Sequence, residues 1–170
     1  MAHPWFAPAG LNRGGITTAI QAERKLTQGN RDTLYDSNVN PIATFPGQGV
    51  TVFGQKTLQK KSSALDRINV ARLVIYLRSQ LDKLAKPYIF EPNDKITRDE
   101  IKAQADSLLL ELVGQRALYD FLVVCDESNN TPARIDRNEL YLDIAIEPVK
   151  AVEFIFIPLR LKNTGEIAGL

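Results

Sequence analysis

The chain has 170 residues, 44% of them hydrophobic and 24% charged, the profile of one ordinary folded domain and not of a fibrous or disordered polymer. Lysine and arginine total 21 against 20 aspartate and glutamate, a formal charge of +1, so no global field directs the chain to nucleic acid or anionic lipid. A single cysteine excludes an internal disulfide and fits a reducing compartment, and the longest apolar runs fall far short of the roughly 20 residues of a membrane span.

Residues 1–40 read as an irregular segment. Pro4, Pro8, Gly10, Gly14, Gly15 and Gly29 punctuate it, and its apolar residues are sparse. Prolines and aromatics stand at Met1–Gly10 in place of a basic stretch followed by an apolar one, so no signal peptide is expected. Trp5 and Phe6 suggest a segment pinned onto something, and a short helical turn is expected at Asn30–Tyr35. From Pro41 the pattern changes. Ile42–Phe45 and Val50–Phe53, separated by Pro46-Gly47-Gln48-Gly49, predict a hairpin.

Ser63 to Ala85 reads as a long helix, with Ser63 and Asp66 as a capping pair, Leu65, Ile68, Ala71, Val74, Ile75, Leu77, Leu81 and Leu84 along a broad apolar side, and Pro87 as the stop. Tyr88–Phe90 is a short strand candidate. A second helix is expected from about Arg98 to Val113, opened by the Thr97/Glu100 capping box and closed at Gly114, with Ile101, Ala105, Leu108 and Leu112 facing a core. Phe121–Cys125 reads as a buried strand and Asp126–Asn130 as a polar loop. Leu140, Leu142, Ile144 and Ile146 alternate with polar neighbours as in a half-buried strand. Val152–Leu161 is apolar on both faces, and Pro158 within it favours a sheet edge. The expected fold is α+β, a mixed sheet covered on one face by two long amphipathic helices, with extended N- and C-terminal arms. Its divisions are an irregular segment 1–40, a domain 41–162 and a flexible arm 163–170.

Chemistry is sparse. Cys125 ends an apolar strand and the lone histidine, His3, lies in a proline-rich terminus, so Cys125 reads as core and not as a nucleophile. One His and one Cys make no common nitrogen and sulfur metal site. A carboxylate set at Asp126, Glu127, Asp136 and Glu139 reads as solvated acids. Gly47-x-Gly49 is followed by a strand and not by a helix, which favours a turn over a phosphate loop, and Gly54-Gln55-Lys56-Thr57 lacks P-loop spacing. No catalytic, cofactor-binding or metal-binding residue is therefore assigned. The basic residues Arg67, Arg72, Arg78 and Lys83 read either as a solvated helix face or as a strip meeting an acidic partner surface.

Several stretches go beyond patterning. Asn40-Pro41-Ile42-Ala43-Thr44-Phe45-Pro46-Gly47-Gln48-Gly49, leading to Gly54-Gln55-Lys56-Thr57-Leu58, resembles the signature of contractile tail sheath proteins of phages. Ile68-Asn69-Val70-Ala71-Arg72 is similar to that family's I-N-V-R-R helix, with Ala71 where a basic residue is usual. Phe90-Glu91-Pro92-Asn93-Asp94 matches its F-E-P-N-D, and Trp5-Phe6-Ala7-Pro8-Ala9-Gly10 its W-x-A-P-A-G. The motifs stand in the family's order.

The resemblance implies a virion structural protein, assembled in the host cytoplasm. Its subunits stack in rings around a tail tube and contract to drive the tube through the host envelope, and this region forms the layer next to the tube. It implies arms that add strands to neighbouring subunits, with Val152, Phe154, Phe156, Leu159 and Leu161 as the shared strand, and Arg67, Arg72, Arg78 and Lys83 as tube-facing candidates. Implied partners are sheath subunits of the same and adjacent rings, the tube protein, and baseplate and tail terminator proteins, with neither nucleic acid nor membrane insertion. Sheath proteins are several hundred residues long, so the chain is expected to be a fragment without an N-terminal arm and outer domains. Secretion-system and pyocin-like sheaths share the device, and a ligand-binding or enzymatic α+β domain using Asp126–Arg137 is the competing class.

Overall fold

The computed structural model describes residues 3–158. In chain order the elements are α1 (Gln28–Asp36), β1 (Ile42–Phe45), β2 (Gly49–Val52), α2 (Ile68–Ala85), α3 (Lys95–Gly114), β3 (Leu118–Val124) and β4 (Asp143–Pro148), with short helical turns at Ala64–Asp66, Lys86–Tyr88 and Pro132–Ile135. The α+β class holds, but among the described residues there is no mixed sheet. The strands form two separate antiparallel pairs, β1–β2 and β3–β4. The predicted hairpin is β1–β2, in register Ile42↔Val52 to Phe45↔Gly49. Its turn needs left-handed backbone at Gly47 (φ 75°) and Gly49 (φ 76°), which only glycine adopts without cost.

The physical reason for two sheets is local. The flank of β2 is occupied by the N-terminal segment, where Ile16 N–H donates to the Val50 carbonyl (2.8 Å) and Val52 N–H to the Gly14 carbonyl (2.8 Å). Tyr88–Phe90 is not a strand. Pro87 tightens the chain after α2 into a 3₁₀ turn, Phe90 enters left-handed backbone at φ 77°, and Asp94 opens the next helix immediately.

Both long helices start elsewhere than the patterning indicated. Ser63 Oγ accepts from Leu65 N–H (3.1 Å), but it caps only the 3₁₀ turn; Arg67 is extended, and α2 begins at Ile68. Its buried face is Asn69, Val70, Leu73 and Leu77, which leaves Leu65 and Ile75 exposed. α3 begins three residues before the expected Arg98, because the Asp94 carboxylate accepts from Thr97 N–H (2.9 Å) and makes Asp94 the cap. Ile101, Ala105, Leu109 and Leu112 form its buried stripe.

The core lies between the helices and β3–β4. Leu73 and Leu77 of α2 meet Ala105, Leu109 and Leu112 of α3, and Leu118 and Val123 of β3 close over them. Trp5 completes this cluster from the N-terminal side. Its ring is 5% exposed, its indole N–H donates to the Gln115 carbonyl (3.1 Å), and Tyr76 meets it edge-on. The aromatic pair flagged in the proline-rich segment is thus pinned to the helices. Cys125 lies in the core, and burial pushes its thiol pKa up.

Candidate assembly interface

After β4 the chain crosses α2 and leaves the body. Val149 N–H donates to the Ala117 carbonyl (3.0 Å), and Asn69 of α2 donates its side-chain amide to the Val149 carbonyl (3.3 Å). Next comes Glu153, which carries the firmest side-chain anchor of this stretch. The Arg67 guanidinium holds it through two hydrogen bonds, Nε to Oε1 (2.6 Å) and Nη2 to Oε2 (3.0 Å). Gln55 donates to Oε1 (3.2 Å), and the Tyr35 side chain of α1 stands close by. The Glu153 side chain is 17% exposed. Burial by itself raises its pKa, but the hydrogen bonds from Arg67 and Gln55 and the nearby Tyr35 side chain outweigh that and hold the carboxyl below the ordinary glutamate value. The same pair raises the Arg67 pKa, and burial followed by the Glu153 contact raises that of Tyr35.

The clamp rests on a rigid base. Lys56 and Arg67 form an antiparallel bridge, Ile68 N–H donates to the Gln55 carbonyl (2.8 Å), and Thr57 N–H donates to the Asp66 carbonyl (3.0 Å). α1 is fastened alongside by Lys56 Nζ, which donates to the Tyr35 carbonyl (2.6 Å), and by Arg31 over the rings of Phe45 and Phe53.

Beyond Glu153 the side chains are largely exposed, although Phe154, Ile155 and Phe156 still border a hollow of about 380 Å³ against Gln28 and Arg31 of α1 and Phe53. Phe154, Ile155, Phe156 and Ile157 are between 68% and 89% exposed, and Val152 is exposed as well. Among the described residues, 150–158 make no backbone–backbone hydrogen bond. The expected last strand is therefore an extended, unpaired apolar segment here; its residues Leu159 and Leu161, and the arm 163–170, lie outside the described residues.

A second unpartnered feature lies between α2 and β4. β3 packs on α3, whereas the helix-facing side of β4 looks onto a groove of about 360 Å³. Its walls are mostly apolar, Val74, Leu77, Leu81 and Ala85 of α2 with Leu142, Ile144 and Ile146, and the charged residues Arg78 and Asp82 also line it. Among the described strands β4 pairs only with β3, so one of its edges is open beside an apolar trough.

The four basic candidates stand in two different settings. Arg67 is taken up by Glu153 and Asp66. Arg72, Arg78 and Lys83 are exposed on α2, with Ile75 exposed among them. The acidic loop is built as a structural turn. Asp126 accepts from Ser128, Asn129 and Asn130 are buried and tie the loop to the Tyr141 carbonyl, and Arg137 pairs with Glu139 (3.0 Å). No three His, Cys, Asp or Glu side chains converge as metal ligands among the described residues, and no described helix is long and apolar enough to cross a membrane. Sequence reasoning missed Glu153 altogether. Its one signal was a lone acid in an otherwise apolar run.

Residues 60–162 match the family described as phage tail sheath C-terminal domain. The chain belongs to that family. It is similar to the tail sheath protein of Vibrio phage KVP40, 41% identical over 173 residues, covering 99% of this chain and 26% of that protein. It is also similar to the tail sheath protein of Enterobacteria phage T4, 34% identical over 174 residues, with 100% and 26% covered. This sheath domain thus spans about a quarter of the length of those curated relatives. Its fold is similar to that of a chain in the anti-feeding prophage baseplate (TM-score 0.83, 23% identity, 94% of this chain and 46% of that one). The sheath complex of an extracellular contractile injection system in its contracted state is equally close (TM-score 0.83, 21% identity, the same coverage).

Proposed function

We propose that this domain is the linking module of a contractile phage tail sheath, a structural and force-transmitting part with no catalytic role. The segment from Phe154 onward is donated to a neighbouring subunit, and the groove beside β4 receives the equivalent segment from another. What supports this is one complementarity. An apolar strand without a sheet and an open sheet edge over an apolar trough occur in the same chain. A strand added at that edge gains main-chain hydrogen bonds from β4, and its inward side chains fall on Leu77 and Leu81.

On this reading subunits of the same and adjacent rings are joined into a mesh that contracts around the tail tube. Baseplate and terminator proteins close its ends, and the sheath is a virion component assembled in the host cytoplasm. The exposed basic residues of α2 are the tube-facing candidates, since modest, salt-sensitive contacts suit a surface that must release. Identities of 34–41% with phage sheath proteins, against 21–23% with the injection-system structures, favour the phage branch. The test is deletion of residues 151–170 from the full-length protein. Loss of striated sheaths by electron microscopy is expected, and normal sheaths would refute strand donation.

A further inference from the structure

We propose that Glu153 is the positioning residue of the donated arm, a fixed pivot that keeps residues up to 153 on their own domain and sets where the movable strand begins. The inference rests on the strand-donation reading and adds a boundary to it. Three observations carry it. Between 150 and 158, Glu153 is the one residue that is not exposed, although it is the acid in the run Val152-Glu153-Phe154-Ile155-Phe156-Ile157. A carboxylate is the wrong group to donate into an apolar trough, and the right one to leave on an arginine.

The groups that hold it come from parts of the chain distant in sequence: Gln55 follows β2, Arg67 stands at the start of α2, and Tyr35 of α1 lies close by. Three hydrogen bonds on one carboxylate resist its being pulled away with the arm. Finally, Gln55 and Asn69 both spend their amide N–H groups on this crossing, on the Glu153 carboxylate and the Val149 carbonyl, and each leaves its buried side-chain oxygen without a protein partner. Two buried amides are thus oriented by the departing chain and not by their own surroundings.

The pivot gives the arm a defined root. Rotation of one subunit against the next is then absorbed from Phe154 onward, while tension on the arm is delivered through Glu153 to Arg67 and into α2, at the heart of the domain.

The experiment uses unassembled full-length protein carrying one spin label, at Val152→Cys or at Ile157→Cys, in a background without other reactive cysteines. The expected spectra are restrained at 152 and mobile at 157. Glu153→Ala makes 152 as mobile as 157, and the milder Glu153→Gln gives an intermediate spectrum. Glu153→Ala also weakens sheath polymerisation by roughly five- to thirtyfold, the equilibrium factor that accompanies re-ordering one released residue. Equal mobility at the two sites in the unsubstituted protein, an unchanged spectrum at 152 in Glu153→Ala, or undiminished polymerisation of that variant would each overturn the pivot. A restrained 152 together with normal sheaths after deletion of 151–170 would sink strand donation instead, so the two failures are distinguishable.

Discussion

Trp5 offers a direct test of whether the N-terminal segment is part of the folded unit. The residue is the chain's only tryptophan, is 5% exposed, and joins the cluster formed by α2, α3 and β3. Burying a tryptophan removes about 200 Å² from water, worth about 5 kcal/mol at roughly 25 cal/mol per Å². That is an upper figure, because a denatured chain already buries part of the ring. Its hydrogen bond to the Gln115 carbonyl adds about 1 kcal/mol. Trp5→Ala should therefore cost about 4 kcal/mol, within the range of large aromatic deletions in cores. Trp5→Phe keeps most of the apolar bulk, loses the N–H donor and should cost about 1–2 kcal/mol. Urea unfolding followed by far-ultraviolet circular dichroism measures both without depending on the fluorophore that is removed. The alanine variant should also show a lower m-value, because its N-terminal segment is already released before unfolding. A loss below about 1 kcal/mol with an unchanged m-value would mean that residues 3–16 hang on the hairpin alone and take no part in the helical core.

Stability should depend on pH through Glu153. Its folded pKa lies below the ordinary 4.5, so its contribution is complete above 4.5 and is lost as pH falls through the lower folded value. The unfolding gap between the unsubstituted chain and Glu153→Gln should be wide at neutral pH and close in acid; a gap independent of pH would refute the assignment. Phe90 is fully exposed and held at φ 77°, so Phe90→Gly removes strain without losing burial. Relief of about 1–3 kcal/mol against about 0.5–1 kcal/mol of added chain entropy predicts a net gain near 1 kcal/mol in urea or thermal unfolding, and a destabilised variant would contradict it. Reversing Arg72, Arg78 and Lys83 together to glutamate should reduce extended sheath formation on tail tubes at low salt. Unchanged assembly would mark them as a solvated face.

Much of the scaffold was legible because its determinants are local. Pro46-Gly47-Gln48-Gly49 between β-branched runs specifies the hairpin, and Ile101, Ala105 and Leu112 specify the inner face of α3. Errors arose where neighbours in space decide. Leu65 and Ile75 fit a helical stripe but face outward, because Trp5 and α3 select the Val70–Leu73–Leu77 side of α2. Gly114 looked like a left-handed helix stop, yet the positive φ falls at Arg116. Arg67 read as one more surface charge because its partner lies 86 positions away. For the same reason Glu153 left no local trace beyond its presence in an apolar run.

Under the proposed strand donation, the energetics of a single donated strand explain why a pivot would matter. Of Phe154–Ile157, alternate residues face one way, so two side chains enter the trough for about 1.5–3 kcal/mol each, and the ladder to β4 adds about 1 kcal/mol per hydrogen bond. Against this stands about 1–2 kcal/mol for ordering each residue of the strand. The two sides nearly cancel. One link between two subunits is thus weak and reversible, as a two-stranded ribbon such as β3–β4 is marginal by itself. Two features shift that balance without a new contact. The clamp at Glu153 has already ordered the root of the arm before it meets a neighbour, which lowers the entropy lost at pairing. A ring closed by many such links holds through their number, because each strand, once released, stays at high local concentration beside its slot. On the proposed strand donation, individually weak links that are collectively tight would let subunits shift past one another during contraction while the mesh stays whole.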